Sequence, residues 1–174
     1  MIIVSDTSVL IDLKRGDLLE TIFALPPHQF AVPDVLFDRE MQGEWGEHLR
    51  GIGLRVMEVS SSGVVNAQRY QQKRTSLSVS DSFALALAKE GQFLLLTGDR
   101  LLRELAGEEN VECHGLFWLL DTMERLGTSG FQDLHDGLTK IASHSRGRLP
   151  RREIKVRLER YQLEINGNQG NITQ

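Results

Sequence analysis

Short runs of consecutive apolar residues, rather than alternating ones, punctuate this chain. Ile2-Ile3-Val4, Phe30-Ala31-Val32, Leu54–Val59, Phe93–Thr97 and Val111–Cys113 each read as a strand buried on both faces. Helical stretches separate them. The spacing predicts helices over Asp6–Lys14 and over Asp17–Leu25, the second stopped by Pro26-Pro27. Another starts near Val35, is capped by Asp34 and carries Arg39, Glu40 and Met41, with Glu44 one turn further on the same face. Ser60–Ser62 cap a helix over Gly63–Thr75, and Ser78-Val79-Ser80 lead into one over Asp81–Glu90 with Gly91 as its C-cap. After Gly98-Asp99-Arg100 a short helix runs through Ala106 and Gly107. The stretches Leu116–Leu126, 131–143 and 151–163 are helical, with a break at Gly127–Gly130.

Strands that alternate with helices and are apolar throughout belong to a sheet covered on both sides. The predicted fold class is α/β: a three-layer sandwich with a short, mostly parallel central sheet flanked by helices, plus C-terminal helices. The expected organisation is a domain over 1–127, a helical extension over 128–165, and a flexible Asn/Gly/Gln-rich tail over 166–174.

Composition adds limits. The chain has 174 residues, 40% hydrophobic and 25% charged, enough for a core without disulfides. Its single cysteine, Cys113, has no Cys or His company of zinc-ligand spacing. No apolar run approaches the roughly 18 residues of a membrane span, and the start does not read as a signal peptide. A cytoplasmic protein without a membrane partner is the expectation. The net charge of −4 is uneven: residues 144–160 hold seven Arg or Lys against two Glu, leaving −9 elsewhere.

The chemistry lies in acids placed where strands end. In open α/β sheets, ligands bind beyond the carboxyl ends of the strands. Asp6 ends the first strand, inside Ser5-Asp6-Thr7-Ser8; Asp99 follows the Phe93–Thr97 strand by two residues; Asp81 opens the helix before that strand. Glu40 lies about two turns into the helix after Val32-Pro33. If the first and fourth strands are neighbours, Asp6 and Asp99 share an edge that Asp81 and Glu40 can reach. Clustered carboxylates repel one another unless protons or cations neutralise them. Oxygen ligands without His or Cys favour Mg²⁺ or Mn²⁺. Such a cation acidifies water and stabilises a phosphoryl transition state, so phosphodiester hydrolysis follows most simply.

VSDTSVLIDL, AVPDVLFDRE and SVSDSFALALAKEGQFLLLTGDRLLRELA together resemble the acidic motifs of PIN-domain proteins. The resemblance covers roughly residues 1–125 and is greatest to VapC-like toxins of toxin–antitoxin pairs and to related stand-alone proteins. It implies a Mg²⁺- or Mn²⁺-dependent endoribonuclease site of Asp6, Glu40, Asp81 and Asp99, with Ser8 and Thr97 as supporting hydroxyls. It also implies RNA as substrate, an antitoxin partner and a homodimer. LFWLLDTMERLG and RGRLPRREIKVRLERY resemble the C-terminal helices of one subgroup.

Each residue has a plainer reading. Asp6 and Asp81 could be helix caps, Asp99 a turn residue, and Asp38, Glu40 and Glu44 a solvated face. Asp12 is expected to be exposed. Asp121 and Glu124 fit the solvated side of a helix whose apolar side holds Phe117, Trp118 and Leu120. Arg100 could meet a phosphate. On 151–163, Ile154, Leu158, Tyr161 and Ile165 fall on one docking face, and Arg151, Arg152, Lys155 and Arg160 on a basic face suited to RNA phosphates. Asn171-Ile172-Thr173 is a glycosylation sequon without other signs of secretion. Two other functions compete: a non-catalytic binding module, and an aspartyl-phosphate phosphatase of haloacid dehalogenase type. The second lacks the expected Asp two residues after Asp6, where Ser8 stands.

Overall fold

A computed structural model describes residues 1–144 and 149–170. Among them, β1 (Ile2–Ser5), β2 (Gln29–Pro33), β3 (Arg55–Met57), β4 (Leu94–Leu96) and β5 (Cys113–His114) form one sheet in the order β3-β2-β1-β4-β5. Every pair is parallel, with Ile3 opposite both Phe30 and Leu94, and Ser5 opposite Leu96. Successive residues of β1, β2 and β4 are buried, as a sheet covered on both faces requires. The order has a consequence. From β1 the chain adds β2 and then β3 on one side, then returns to place β4 against the other side of β1. The carboxyl ends of β1 and β4 therefore flank the point where the winding reverses, the place where such sheets hold their ligands.

The chain divides into two compact units, one of Met1–Leu10 with Phe23–Leu116, the other of Ile11–Ile22 with the segment from Phe117 onward. The first holds the sheet. Helix α6 (Val79–Gly91) packs on β1, β2 and β4, and its run Ala84–Ala88 is buried; three alanines in that run let the helix lie close to the strands. Helix α5 (Ser61–Lys73) packs on α6, and Ser60 caps it by accepting from the Gly63 N–H. Helix α7 (Arg100–Glu108) buries Leu102, Leu105 and Ala106.

Several expectations change here. Helix α3 (Asp34–Glu40) stops at Met41, and a separate helix α4 (Glu44–Gly51) begins after Gly43, whose φ is 76°. Glu44 therefore does not share a helical face with Glu40. The break falls at Gly43, and a Cβ on Gly46 would stand 1.8 Å from the Met41 carbonyl oxygen, so α4 approaches the end of α3 through a glycine. Pro33, not Asp34, is the N-cap of α3; Asp34 is its first residue and accepts from the Val35 N–H at 2.8 Å. Helix α6 ends on Gln92 in the left-handed region, φ 53°, rather than on Gly91. Gly91 is needed for space instead, since a Cβ there would meet the Phe93 ring at 2.1 Å. The last strand sits at Cys113–His114, where Thr97 donates its N–H to the His114 carbonyl. Burial pushes the Cys113 thiol up to about 11.

The second unit gathers α2 (Leu19–Phe23) apart from its last residue, the later part of α1 (Thr7–Arg15), most of α8 (Leu116–Leu126), α9 (Phe131–His144) and α10 (Arg151–Gly170). Gly16 and Gly137 bring two backbones together: a Cβ on Gly137 would lie 2.8 Å from the Gly16 carbonyl oxygen. Lys140 closes that contact on Asp17 at 2.6 Å. Asp12, expected to be exposed, is 5% exposed and stands 3.5 Å from Arg15. Tyr161 is fully buried on the predicted inner face of α10, against the Phe131 ring. The expected solvated pair Asp121 and Glu124 is instead engaged by α10. Arg157 grips Asp121 with two nitrogens at 3.0 and 2.6 Å and lies over the Phe117 ring, while Arg160 binds both Asp121 and Glu124. Phe117 thus carries a guanidinium, and Leu119, Leu120 and Met123 form the buried side. Helix α10 continues to Gly170, beyond the expected end at 163; the sequon Asn171-Ile172-Thr173 and Arg146 and Arg148 of the basic stretch lie outside the described residues. No helix among the described residues is long and apolar enough to cross a membrane.

Gly46→Ala is expected to destabilise the protein by about 1–3 kcal/mol, because the contact it violates is with backbone. Gly51→Ala, which meets nothing within 4 Å, should be neutral or stabilising on the same helix. Chemical denaturation of the two variants beside wild type checks the pair; equal effects would contradict the close docking of α4.

Candidate active site

Asp6 stands at the end of β1 and is 4% exposed. A buried carboxylate needs donors, and four converge on it. Ser8 Oγ and the Val9 N–H reach Oδ1, both at 2.9 Å; Thr97 Oγ1 and the Gly98 N–H reach Oδ2, the latter at 3.3 Å. The first two come from the start of α1 and the last two from the turn after β4, so one carboxylate ties the two strand ends together. Thr97 extends the chain of bonds, since its oxygen accepts the Asp99 N–H at 2.9 Å. The first-and-fourth-strand neighbourhood that the sequence made conditional is met.

Asp99 is exposed and is the N-cap of α7, accepting from the Leu102 N–H at 2.8 Å. Asp81 lies in the first turn of α6. The cap of that helix is Ser78, which accepts the Asp81 N–H at 3.0 Å and donates its hydroxyl to Asp81 Oδ2 at 2.7 Å, a reciprocal arrangement. Glu40, the exposed last residue of α3, accepts from Thr7 Oγ1. Capping and clustering therefore coexist: Asp6, Asp81 and Asp99 each serve a helix N-terminus, and those positive ends of α1, α6 and α7 offset part of the acids' repulsion.

The four acids act on one another. Burial pushes the Asp81 carboxyl up from its ordinary value; the Ser78 hydroxyl opposes this, and the charges of Asp6, Asp99 and Glu40 push it further up. Burial also pushes Asp6 up, against the hydrogen bonds of Thr97, Val9, Ser8 and Gly98. Thus the sequence-predicted acids share one electrostatic neighbourhood at the β1–β4 edge. Among the described residues, no three Asp, Glu, His or Cys side chains stand close enough to hold a metal ion as placed. Like charges repel, and each carboxylate is fastened to its own donor. The donor chemistry still fits a hard divalent cation: carboxylates edged by hydroxyls, no thiolate or imidazole, one acid fixed and others exposed enough to move.

Of the basic residues, Arg100 is exposed beside Asp99 and pairs with Glu104 at 2.8 Å. Arg151, Arg152 and Lys155 are exposed on α10, but Arg160 is spent on Asp121 and Glu124 and leaves the expected phosphate-binding face. Two residues escaped the sequence reading of the site. Ser78 was read only as part of a lead-in, although its spacing to Asp81 matches a capping box. Thr7 reads from the sequence as a cap or a hydroxyl beside Asp6, and its bond to Glu40 has no local signal because the two are 33 residues apart.

A raised carboxyl favours the folded state when protonated. That contribution is present below the unfolded Asp value of about 3.9 and is lost as pH rises through the higher folded value. In EDTA, Asp81→Asn should therefore be more stable than wild type at neutral pH, with the difference shrinking as pH falls to about 4. Melting temperatures across that range test it; a pH-independent difference would contradict the coupling.

No curated protein matches the sequence. The family DUF3368, described as a PIN domain, matches residues 2–162, and PIN domains are generally nucleases. Since that match takes in the sheet, all four acids and most of α10, the chain belongs to the DUF3368 family of PIN domains.

Proposed function

We propose that this protein is a Mg²⁺- or Mn²⁺-dependent endoribonuclease that hydrolyses RNA phosphodiester bonds at Asp6, Glu40, Asp81 and Asp99. The observation that carries the reading is that Asp6, at the end of β1, is bonded through Thr97 and Gly98 to the turn that holds Asp99, while Thr7 beside it binds Glu40, at the sheet edge where β1 and β4 end. A divalent cation held there would acidify a water and neutralise charge developing on the phosphoryl oxygens. Asp6, immobilised by four donors, is the fixed corner of the site. Asp81, in the first turn of α6, and Asp99, at the cap of α7, would be the further ligands. Among the described residues only Thr7 hydrogen-bonds Glu40, through Oε2, so Oε1 is open to accept a proton from the attacking water. With that proton on Glu40, the water's oxygen would bond to phosphorus as the bond to the 3′-oxygen breaks, and the 3′-oxygen would take a proton from solvent, giving a 5′-phosphate and a 3′-hydroxyl.

Nucleophilic catalysis by Asp6, as in a phosphatase of haloacid dehalogenase type, is disfavoured because Ser8 stands where that mechanism needs a second Asp. The basic face of Arg151, Arg152 and Lys155 suits RNA phosphates. Membership of a toxin–antitoxin pair, with dimerisation, is the narrower part of the proposal, and a small antitoxin encoded beside this chain would support it.

Cleavage of a short labelled RNA should require Mn²⁺ or Mg²⁺ and cease in EDTA. Asp81→Asn and Asp99→Asn should lower it by more than the roughly hundredfold upper end seen for outer-shell residues. Asp6→Ala is the poorer probe, since it strands four donors. Binding of RNA without metal-dependent cutting would favour the binding module instead, and cutting in excess EDTA would contradict the mechanism.

A further inference from the structure

Glu40 is the odd corner of the acidic edge. Asp6 and Asp99 accept backbone N–H groups at the starts of α1 and α7, and Asp81 sits in the first turn of α6. Glu40 ends α3, where the helix presents carbonyls and does not favour an anion. Its side chain is longer than that of Asp, is exposed, and has no ion pair among the described residues. Among the described residues one group holds it, the Thr7 hydroxyl. Thr7 suits that work. It follows Asp6 directly, it is the first residue of α1, and its branched Cβ restricts χ1 there. At that position no preceding helical turn offers a carbonyl to compete for the hydroxyl.

Building on the nuclease reading, we infer that Thr7 is a positioning residue for Glu40: its hydroxyl, anchored next to Asp6, draws the Glu40 carboxylate to the acidic edge and fixes which oxygen faces the reaction. Without it, Glu40 would turn freely in solvent and spend little of its time near the other acids. Thr7 itself touches neither metal nor RNA in this scheme.

The test is a double-mutant cycle on the full chain. Manganese chloride is titrated calorimetrically into wild type, Thr7→Val, Thr7→Ser, Glu40→Ala and Thr7→Val/Glu40→Ala, and RNA cleavage is measured in parallel. Thr7→Val should lower cleavage by about ten- to a hundredfold, the range of residues that orient the working groups of a metal site, and should change Mn²⁺ binding by no more than Glu40→Ala does. Thr7→Ser should recover most of the loss, and Thr7→Val should add nothing once Glu40 is alanine. A Thr7→Val protein that cuts like wild type would overturn the inference, as would an effect of equal size with and without Glu40. A folded wild type that neither binds Mn²⁺ nor cleaves would defeat the nuclease reading itself, and this inference with it.

Discussion

The carboxylate of Asp6, buried at the end of β1, is the constraint around which the first unit is arranged. An unpaired charge there would cost several kcal/mol, roughly, so the fold must bring donors to it. Two come from α1 within three residues along the chain. The other two come from Thr97 and Gly98, more than ninety residues away, and they arrive only because β4 lies against β1 with Leu96 opposite Ser5. Register, turn and charge satisfaction are thus one requirement. A slip of β4 by one residue would remove Thr97 from Asp6 and shift Asp99 from the edge.

The same economy governs the other acids. A site of four like charges opposes folding, and here three of the charges double as caps or first-turn acids of helices whose N-termini point to the same edge. A carboxylate that caps a helix is not thereby excluded from chemistry. It is stabilised in the absence of any ligand and remains one side-chain rotation from another partner. This explains how the acids can share a neighbourhood electrostatically while no three of them are close enough to grip an ion as placed.

Much of this could be read from the chain. Consecutive apolar runs gave the parallel sheet, because a strand covered on both sides has no polar face to alternate. The positions of Asp6, Asp81 and Asp99 followed from strand ends and helix starts, which are local signals. What failed was mainly non-local. Asp12 reads as solvent-facing from its helical angle, yet it is buried in a unit that the C-terminal helices complete. Asp121, Glu124 and Arg160 read as surface charges because nothing in the sequence pairs α8 with α10. Glu44 shares no face with Glu40 for a local reason, since Gly43, at φ 76°, breaks the helix between them. Thr7 and Glu40 meet through a contact that no local signal shows.

The central claim, that these four acids form one cation site, is tested most directly by locating the cation. Crystals of the full chain grown with MnCl₂, measured for anomalous scattering at the manganese edge, should show density bounded by the carboxylates of Asp6, Asp81 and Asp99, and none at that place in Asp81→Asn crystals. Manganese bound elsewhere, or a well-ordered wild-type edge without it at millimolar Mn²⁺, would contradict the account.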